Sequence, residues 1–221
     1  MYFALNSKGN RVFIDDVISS ETYFCPQCRN FLIIKNKGFI NKHHFAHKGT
    51  VDCDSWAHQM SDWHLNWQKQ FDENYREIII GCHRADIKIN NIIVEFQQSP
   101  LSSTDMLERI NYYTKHNNYL FFLFDLREPY KKERIYPCTY RFTKKDHWWK
   151  NPRNSIIPPR YPGLSTKKYD LFFQLTDNEI LWVKTDEGSR YTISWKKIHV
   201  KKVLSKKDFI TLVYNKALKL K

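Results

Sequence analysis

The stretch His83-Arg84-Ala85-Asp86-Ile87-Lys88-Ile89-Asn90-Asn91-Ile92-Ile93-Val94-Glu95-Phe96-Gln97-Gln98-Ser99-Pro100 reads as two short strands around a two-residue turn. Asn tolerates positive φ, so Asn90-Asn91 suits a type I′ turn. That turn would oppose Ile89 to Ile92, Lys88 to Ile93, Ile87 to Val94 and Asp86 to Glu95. Side chains alternate along a strand and directly opposed residues share a face. One face then holds Ile87, Ile89, Ile92, Val94 and Phe96, and the other holds Asp86, Lys88, Ile93, Glu95 and Gln97. Two carboxylates opposed in this way repel unless something offsets them, and a divalent cation would.

Working outward, Trp56, Met60, Trp63, Trp67 and Phe71 recur at helical spacing and predict an amphipathic helix before the strands. Glu77–Cys82 reads as a further strand, and Ser99-Pro100 ends the ladder. Ser103 or Thr104 can cap a helix running to about His116, and Tyr119–Phe124 is a continuous apolar strand of the buried kind. Helix, three strands, helix, strand is the order of an α/β core with a mixed sheet. Upstream, residues 2–5 and 11–14 form a predicted hairpin. Downstream, Arg127–Thr166 is irregular, Asp170–Leu175, Ile180–Lys184 and Tyr191–Ile198 read as strands, and Lys206–Leu218 reads as a helix.

Cys25-Pro-Gln-Cys28 is a CxxC turn that presents two thiolates to one tetrahedral ion, and His43-His44-Phe45-Ala46-His47 follows. Fourteen residues separate Cys28 from His43, and three separate His43 from His47, so spacing favours His43 with His47. His44 with His47 is the other pair, and Cys53 is a further candidate. Zinc held by four protein ligands would be structural, with no open position for water. The five cysteines are odd in number and no secretory signal is read at the N-terminus, which argues for metal rather than disulfides.

The chain carries 36 Lys and Arg against 23 Asp and Glu, a net +13 over 221 residues. Residues 1–126 hold 13 basic and 14 acidic side chains and residues 127–221 hold 23 and 9, so the excess lies in the C-terminal part. A basic stretch rich in aromatic rings has the composition of a nucleic-acid surface. The candidates there are Lys144, Lys145, Trp148, Trp149, Lys196, Lys197, Lys201 and Lys202. With 42% hydrophobic residues the chain can build a core, which excludes wholesale disorder. No apolar run is long enough to span a membrane, so a cytoplasmic protein is expected.

These motifs together resemble the competence protein CoiA-like family. The likeness runs through KGNRVFIDD (8–16), YFCPQC (23–28), HFAH (44–47), SDWHLNWQ (61–68), HRADI (83–87), VEFQQSPLS (94–102) and Glu108–Tyr113. It implies a small zinc-binding module joined to a PD-(D/E)XK-like core, a restriction-endonuclease-like mixed sheet flanked by helices. It also favours His44 over His43 as a zinc ligand. In that core Asp86 and Glu95 would ligate Mg²⁺ or Mn²⁺, and Gln97 stands where Lys is common. An amide does not titrate, so Gln97 would orient water rather than deprotonate it. The family's acid-x-His pattern maps onto Asp62-Trp63-His64, and Arg109 would pair with a site acid or a phosphate. Glu77 could join the site.

The expected organisation is a zinc module in residues 1–55, a nuclease core in 56–126 and a basic region in 127–221. The expected function is metal-dependent hydrolysis of phosphodiester bonds in DNA, with structural Zn²⁺ and catalytic Mg²⁺ or Mn²⁺. The alternative is a non-catalytic, zinc-containing nucleic-acid binder with a degenerate nuclease fold.

Overall fold

The computed structural model describes residues 1–35, 43–49, 53–56, 61–98, 101–115, 117–138, 146–150, 168–184 and 195–220. The chain divides into two compact units, Met1–Met60 with Ile78–Arg84 and Ser61–Glu77 with Ala85–Lys221.

The first unit contains five strands: β1 (Phe3–Asn6), β2 (Arg11–Phe13), β3 (Tyr23–Phe24), β4 (Phe31–Lys35) and β5 (His44–His47). They form one sheet in the order β2-β1-β3-β4-β5, with every pairing antiparallel. The predicted N-terminal hairpin is present, with Phe3 opposite Phe13. Gly9 lies in its turn at φ +79°, a conformation glycine adopts without steric cost. Ala4, Tyr23, Leu32 and Phe45 are buried, and the Tyr23 and Phe45 rings lie 5.2 Å apart.

The second unit is α+β. It comprises α1 (Asp62–Gln68), β6 (Arg76–Ile80), β7 (His83–Ile89), β8 (Ile92–Gln97), α2 (Ser103–Lys115), β9 (Tyr119–Asp125), α3 (Arg127–Lys131), β10 (Ile135–Pro137), β11 (His147–Lys150), β12 (Tyr169–Thr176), β13 (Glu179–Val183), β14 (Trp195–Ile198), β15 (Val200–Leu204) and α4 (Lys206–Lys219). A seven-stranded mixed sheet runs β15-β13-β12-β9-β8-β7-β6, with β8, β9 and β12 parallel. The turn end of the β6–β7 hairpin is counted with the first unit. A second sheet runs β10-β11-β14.

The apolar face read from the hairpin is the core face. Ile87, Ile89, Ile92, Val94 and Phe96 cluster with Trp63, Trp67 and Phe71 and with Phe209 and Val213 of α4. Phe96 stacks on Trp67 at 5.7 Å. On the opposite face, α2 packs against β9 and buries Met106, Ile110 and Tyr113. Both long helices are capped by the residue types that favour helix starts. Ser102 Oγ accepts from the Asp105 N–H at 3.0 Å, one residue earlier than expected. Ser205 and Asp208 form a reciprocal capping box.

Several local expectations differ from the structure. The helix predicted from Trp56 is described only over Asp62–Gln68, where Ser61 caps it. Trp56 instead lies in the first unit, its ring stacked on His83 at 3.3 Å. Met60 and His116 lie outside the described residues. The Asn90-Asn91 turn has positive φ at Asn90 alone, where a type I′ turn takes both residues positive. Both Asn side chains are committed to the end of α4, Asn90 Nδ2 to Ala217 O at 3.1 Å and Asn91 Nδ2 to Leu220 O at 3.0 Å. Strand β15 was not anticipated. The division expected at residue 126 falls within the second unit, because β12 pairs in parallel with β9.

Candidate functional site

In the first unit, Cys25, Cys28, His47 and Cys53 each offer a ligand atom, and these atoms all lie within 4.8 Å of one another. Cys25 Sγ is 3.5 Å from Cys53 Sγ, Cys28 Sγ is 3.2 Å from His47 Nε2 and Cys53 Sγ is 3.7 Å from His47 Nε2. Zinc–ligand bonds of standard length give tetrahedron edges of about 3.8 Å between sulfurs and about 3.5 Å between sulfur and nitrogen. The three closest pairs lie within about 0.3 Å of those edges and all four atoms lie within 4.8 Å of one another, so this Cys₃His cluster could bind zinc. Burial and the two neighbouring thiols push the Cys53 thiol up to about 12. The Cys28 thiol is lowered, because hydrogen bonds from the Asn30 backbone and the other thiols outweigh burial. Deprotonating the set is work that a bound cation would do.

The fourth ligand corrects the sequence reading. His44 and His47 belong to strand β5, and residues three apart in a strand point to opposite faces. His47 shares its face with the buried Phe45, whereas His44 lies on the other. His43 precedes the strand, about 13 Å of extended chain from His47. Cys53 completes the set and is held from both sides. Gln27 Nε2 donates to Cys53 O at 2.9 Å and to Cys82 O at 2.6 Å. The adjacent, buried Asp54 accepts from the Arg84 N–H at 3.0 Å and pairs with His83 Nδ1 at 2.9 Å.

The second constellation lies in the second unit at the end of the β7–β8 ladder. The register runs Ile89↔Ile92, Lys88↔Ile93, Ile87↔Val94, as predicted. The expected Asp86↔Glu95 opposition does not continue the ladder. Instead Asp86 Oδ2 accepts the Phe96 backbone N–H at 2.8 Å, and Oδ1 meets His64 Nε2 at 2.7 Å. Gln68, one helical turn after His64, lies 3.4 Å from the same oxygen. Glu95 is served from α2: Arg109 donates to Oε2 at 2.8 Å and Tyr113 to Oε1 at 3.0 Å. Each helix therefore sends an i, i+4 pair to one carboxylate.

The electrostatics follow from burial. Desolvation, then the charge of Asp86, push Glu95 up to about 7 against the opposing pull of Arg109 and Tyr113. Burial pulls His64 down, but the charge and hydrogen bond of Asp86, with smaller help from Glu95 and Glu77, raise it overall. Burial and Glu95 hold the Tyr113 hydroxyl well above its ordinary value. Glu77 is buried and has φ +48°, a conformation costly for a non-glycine residue.

Gln97 is buried on β8, two residues past Glu95 and on the same face by alternation. Asp62 is exposed in the first turn of α1. The sequence reading missed Gln68 and Tyr113; their signal was the four-residue spacing from His64 and Arg109.

Arg109, expected to pair with a site acid or a phosphate, is buried with its guanidinium on the site acid Glu95. Trp149 is also buried, 6.2 Å from the Phe173 ring, while Trp148 is half-buried. Lys197 pairs with Asp146 at 3.1 Å and Lys201 with the buried Asp170 at 3.3 Å. Lys202 is exposed on β15, and Lys196 lies on β14. Lys144 and Lys145 lie outside the described residues. Among the described residues no helix is long and apolar enough to cross a membrane.

Residues 7–55 match the family model for the N-terminal domain of competence protein CoiA. No curated protein and no solved structure matches the chain.

Proposed function

We propose that this chain is a metal-dependent nuclease that hydrolyses DNA phosphodiester bonds in competence-related DNA processing, with a structural zinc module at its N-terminus. The reading is carried by Asp86 and Glu95, two buried or nearly buried carboxylates whose mutual repulsion contributes to raising Glu95 to about 7. A divalent cation relieves such repulsion, and an oxygen-donor set of this kind suits Mg²⁺ or Mn²⁺. Held there by Asp86 and Glu95, the ion would supply Lewis-acid charge to a phosphoryl oxygen and acidify water.

The remaining work falls to side chains. Gln97 orients water through an amide that cannot take its proton. His64, held by Asp86 at 2.7 Å, is the group placed to carry that proton. Arg109 and Tyr113 position Glu95 from α2.

The second reading is a non-catalytic nucleic-acid binder. Both oxygens of Glu95 are already engaged by Arg109 and Tyr113, which favours it, as does Gln97 in place of Lys. Incubating supercoiled plasmid and single-stranded DNA with Mg²⁺ or Mn²⁺ separates the two. The nuclease reading expects cutting by the wild type and none by an Asp86→Ala, Glu95→Ala double variant. Equal cutting by both proteins refutes the site, and metal-independent, salt-sensitive binding without cutting leaves the binder.

A further inference from the structure

The five-stranded sheet of the first unit has two unlike faces. One carries the buried Tyr23, Leu32 and Phe45 together with the metal-cluster residue His47. On the other, one cross-strand row runs Arg11–Leu5–Phe24–Phe31, set by the registers Leu5↔Arg11, Leu5↔Phe24 and Phe24↔Phe31. Phe31 is 65% exposed, and its ring lies 4.9 Å from that of Phe24. Phe24 is half-buried, so the exposed Phe31 ring stands on an aromatic base, and such apolar surface on a small module calls for an occupant.

The charges around the ring say which occupant. The Arg11 guanidinium lies on this face, 3.6 Å from the Phe3 ring centroid. Lys35, exposed, shares the face with Phe31 by strand alternation and is paired with His44. Strand spacing and rise put Arg11 and Lys35 each about 13–14 Å from Phe31, on different sides of it. None of the five strands contains an acidic residue. A flat ring on strands that carry cations and no acidic residue complements a polyanion with unpaired flat bases. We infer that this face binds single-stranded nucleic acid, with a base stacked on Phe31 and the backbone passing Arg11 and Lys35. The inference stands apart from the nuclease reading, because it needs no cleavage and uses none of that site's residues.

The test is fluorescence anisotropy with labelled oligothymidylate and oligouridylate of about 20 nucleotides, and a duplex of equal length, without added divalent ion. It is run in the Asp86→Ala, Glu95→Ala background, so its outcome is independent of whether that site cuts. Phe31→Ala should lose about 5- to 100-fold in affinity for the single strands and leave duplex binding unchanged. Phe31→Trp should retain affinity, with its added fluorescence quenched on binding. Lys35→Ala should lower the slope of log affinity against log salt by about 0.7. The two oligonucleotides distinguish DNA from RNA as the preferred strand. Unchanged single-strand affinity in Phe31→Ala overturns the inference, as does an equal loss for duplex. A change in oligomeric state by light scattering, with affinity unchanged, would assign the face to a second copy and equally overturn it.

Discussion

His64 Nε2 lies 2.7 Å from Asp86 Oδ1, while the other carboxylate oxygen of Asp86 takes the backbone N–H of Phe96. Asp86 is thus fixed by a strand on one side and by a helix on the other. The pair raises the His64 pKa, so the imidazole holds its proton to higher pH than it would in water. His64→Ala removes both the proton carrier and the partner of Asp86. We expect cleavage to fall about 10²- to 10⁴-fold, with the pH–rate profile losing one limb and DNA affinity unchanged. Plasmid nicking followed from pH 6 to 9 measures this, and a variant with the wild-type profile would remove His64 from the mechanism.

Glu95 gives a pH dependence of stability with a definite sign. Its pKa rises from the ordinary 4.5 to about 7 on folding, so between these values the folded chain holds a proton that the unfolded chain has released. Stability from this group is complete below pH 4.5, declines as pH rises toward 7 and is constant above. The shift corresponds to something on the order of 3 kcal/mol. Glu95→Gln cannot titrate, so the stability difference between variant and wild type should move in the variant's favour by that order from pH 4.5 to 8. Urea unfolding at both pH values, without divalent ions, reads it out. A pH-independent difference would show that Arg109 fully compensates the charge.

The Cys₃His cluster takes His47 and leaves out His44. Cys53→Ala removes a ligand atom of the cluster and should reduce bound zinc from about one per chain to well below it, with a loss of several kcal/mol in stability of that unit. His44→Ala, on the other strand face, should keep its zinc. Metal analysis of protein purified without a His tag decides between them. Zinc lost from His44→Ala and kept by Cys53→Ala would restore the His44–His47 pairing that the family resemblance implies.

That reversal shows where sequence was legible and where it was not. The β7–β8 hairpin could be read because its period-2 sorting is complete, and Ile87, Val94 and Phe96 did fall on the core face. The core order of helix, strands and helix followed from similar local patterns. His47 joins the cluster as expected, whereas His44, which the family resemblance favoured, does not, because nothing local announced that HFAH is a strand whose alternation turns His44 to the other face. Trp56 fits the helical stripe by number but belongs to another unit, where it stacks on His83. Tyr113 and Gln68 were missed because their roles depend on which carboxylate lies across from them, a relation only tertiary structure supplies.

The charge asymmetry carries the last prediction. All of the excess positive charge lies beyond residue 126, which from sequence suggests a detachable basic appendage. The sheet order contradicts a clean cut there. Strand β9, whose central residues Leu120 to Phe124 are all buried, has β8 on one side and β12 on the other. Phe121 packs at 5.0 Å on Phe172 and at 6.4 Å on Phe209, both beyond the cut. Gln174, on β12, accepts both indole N–H groups of Trp63 and Trp67 at 2.7 and 2.9 Å. A fragment ending at residue 126 would expose an unpaired parallel edge and most of one core face, and would leave two buried indoles without acceptors. We expect it to lack cooperative urea unfolding and near-ultraviolet dichroism from the tryptophans, and to aggregate. Gln174→Leu in the full chain is the milder test, with an expected loss of about 2–4 kcal/mol from two unsatisfied donors. A soluble, cooperatively folding 1–126 fragment would show instead that the basic region is an independent addition.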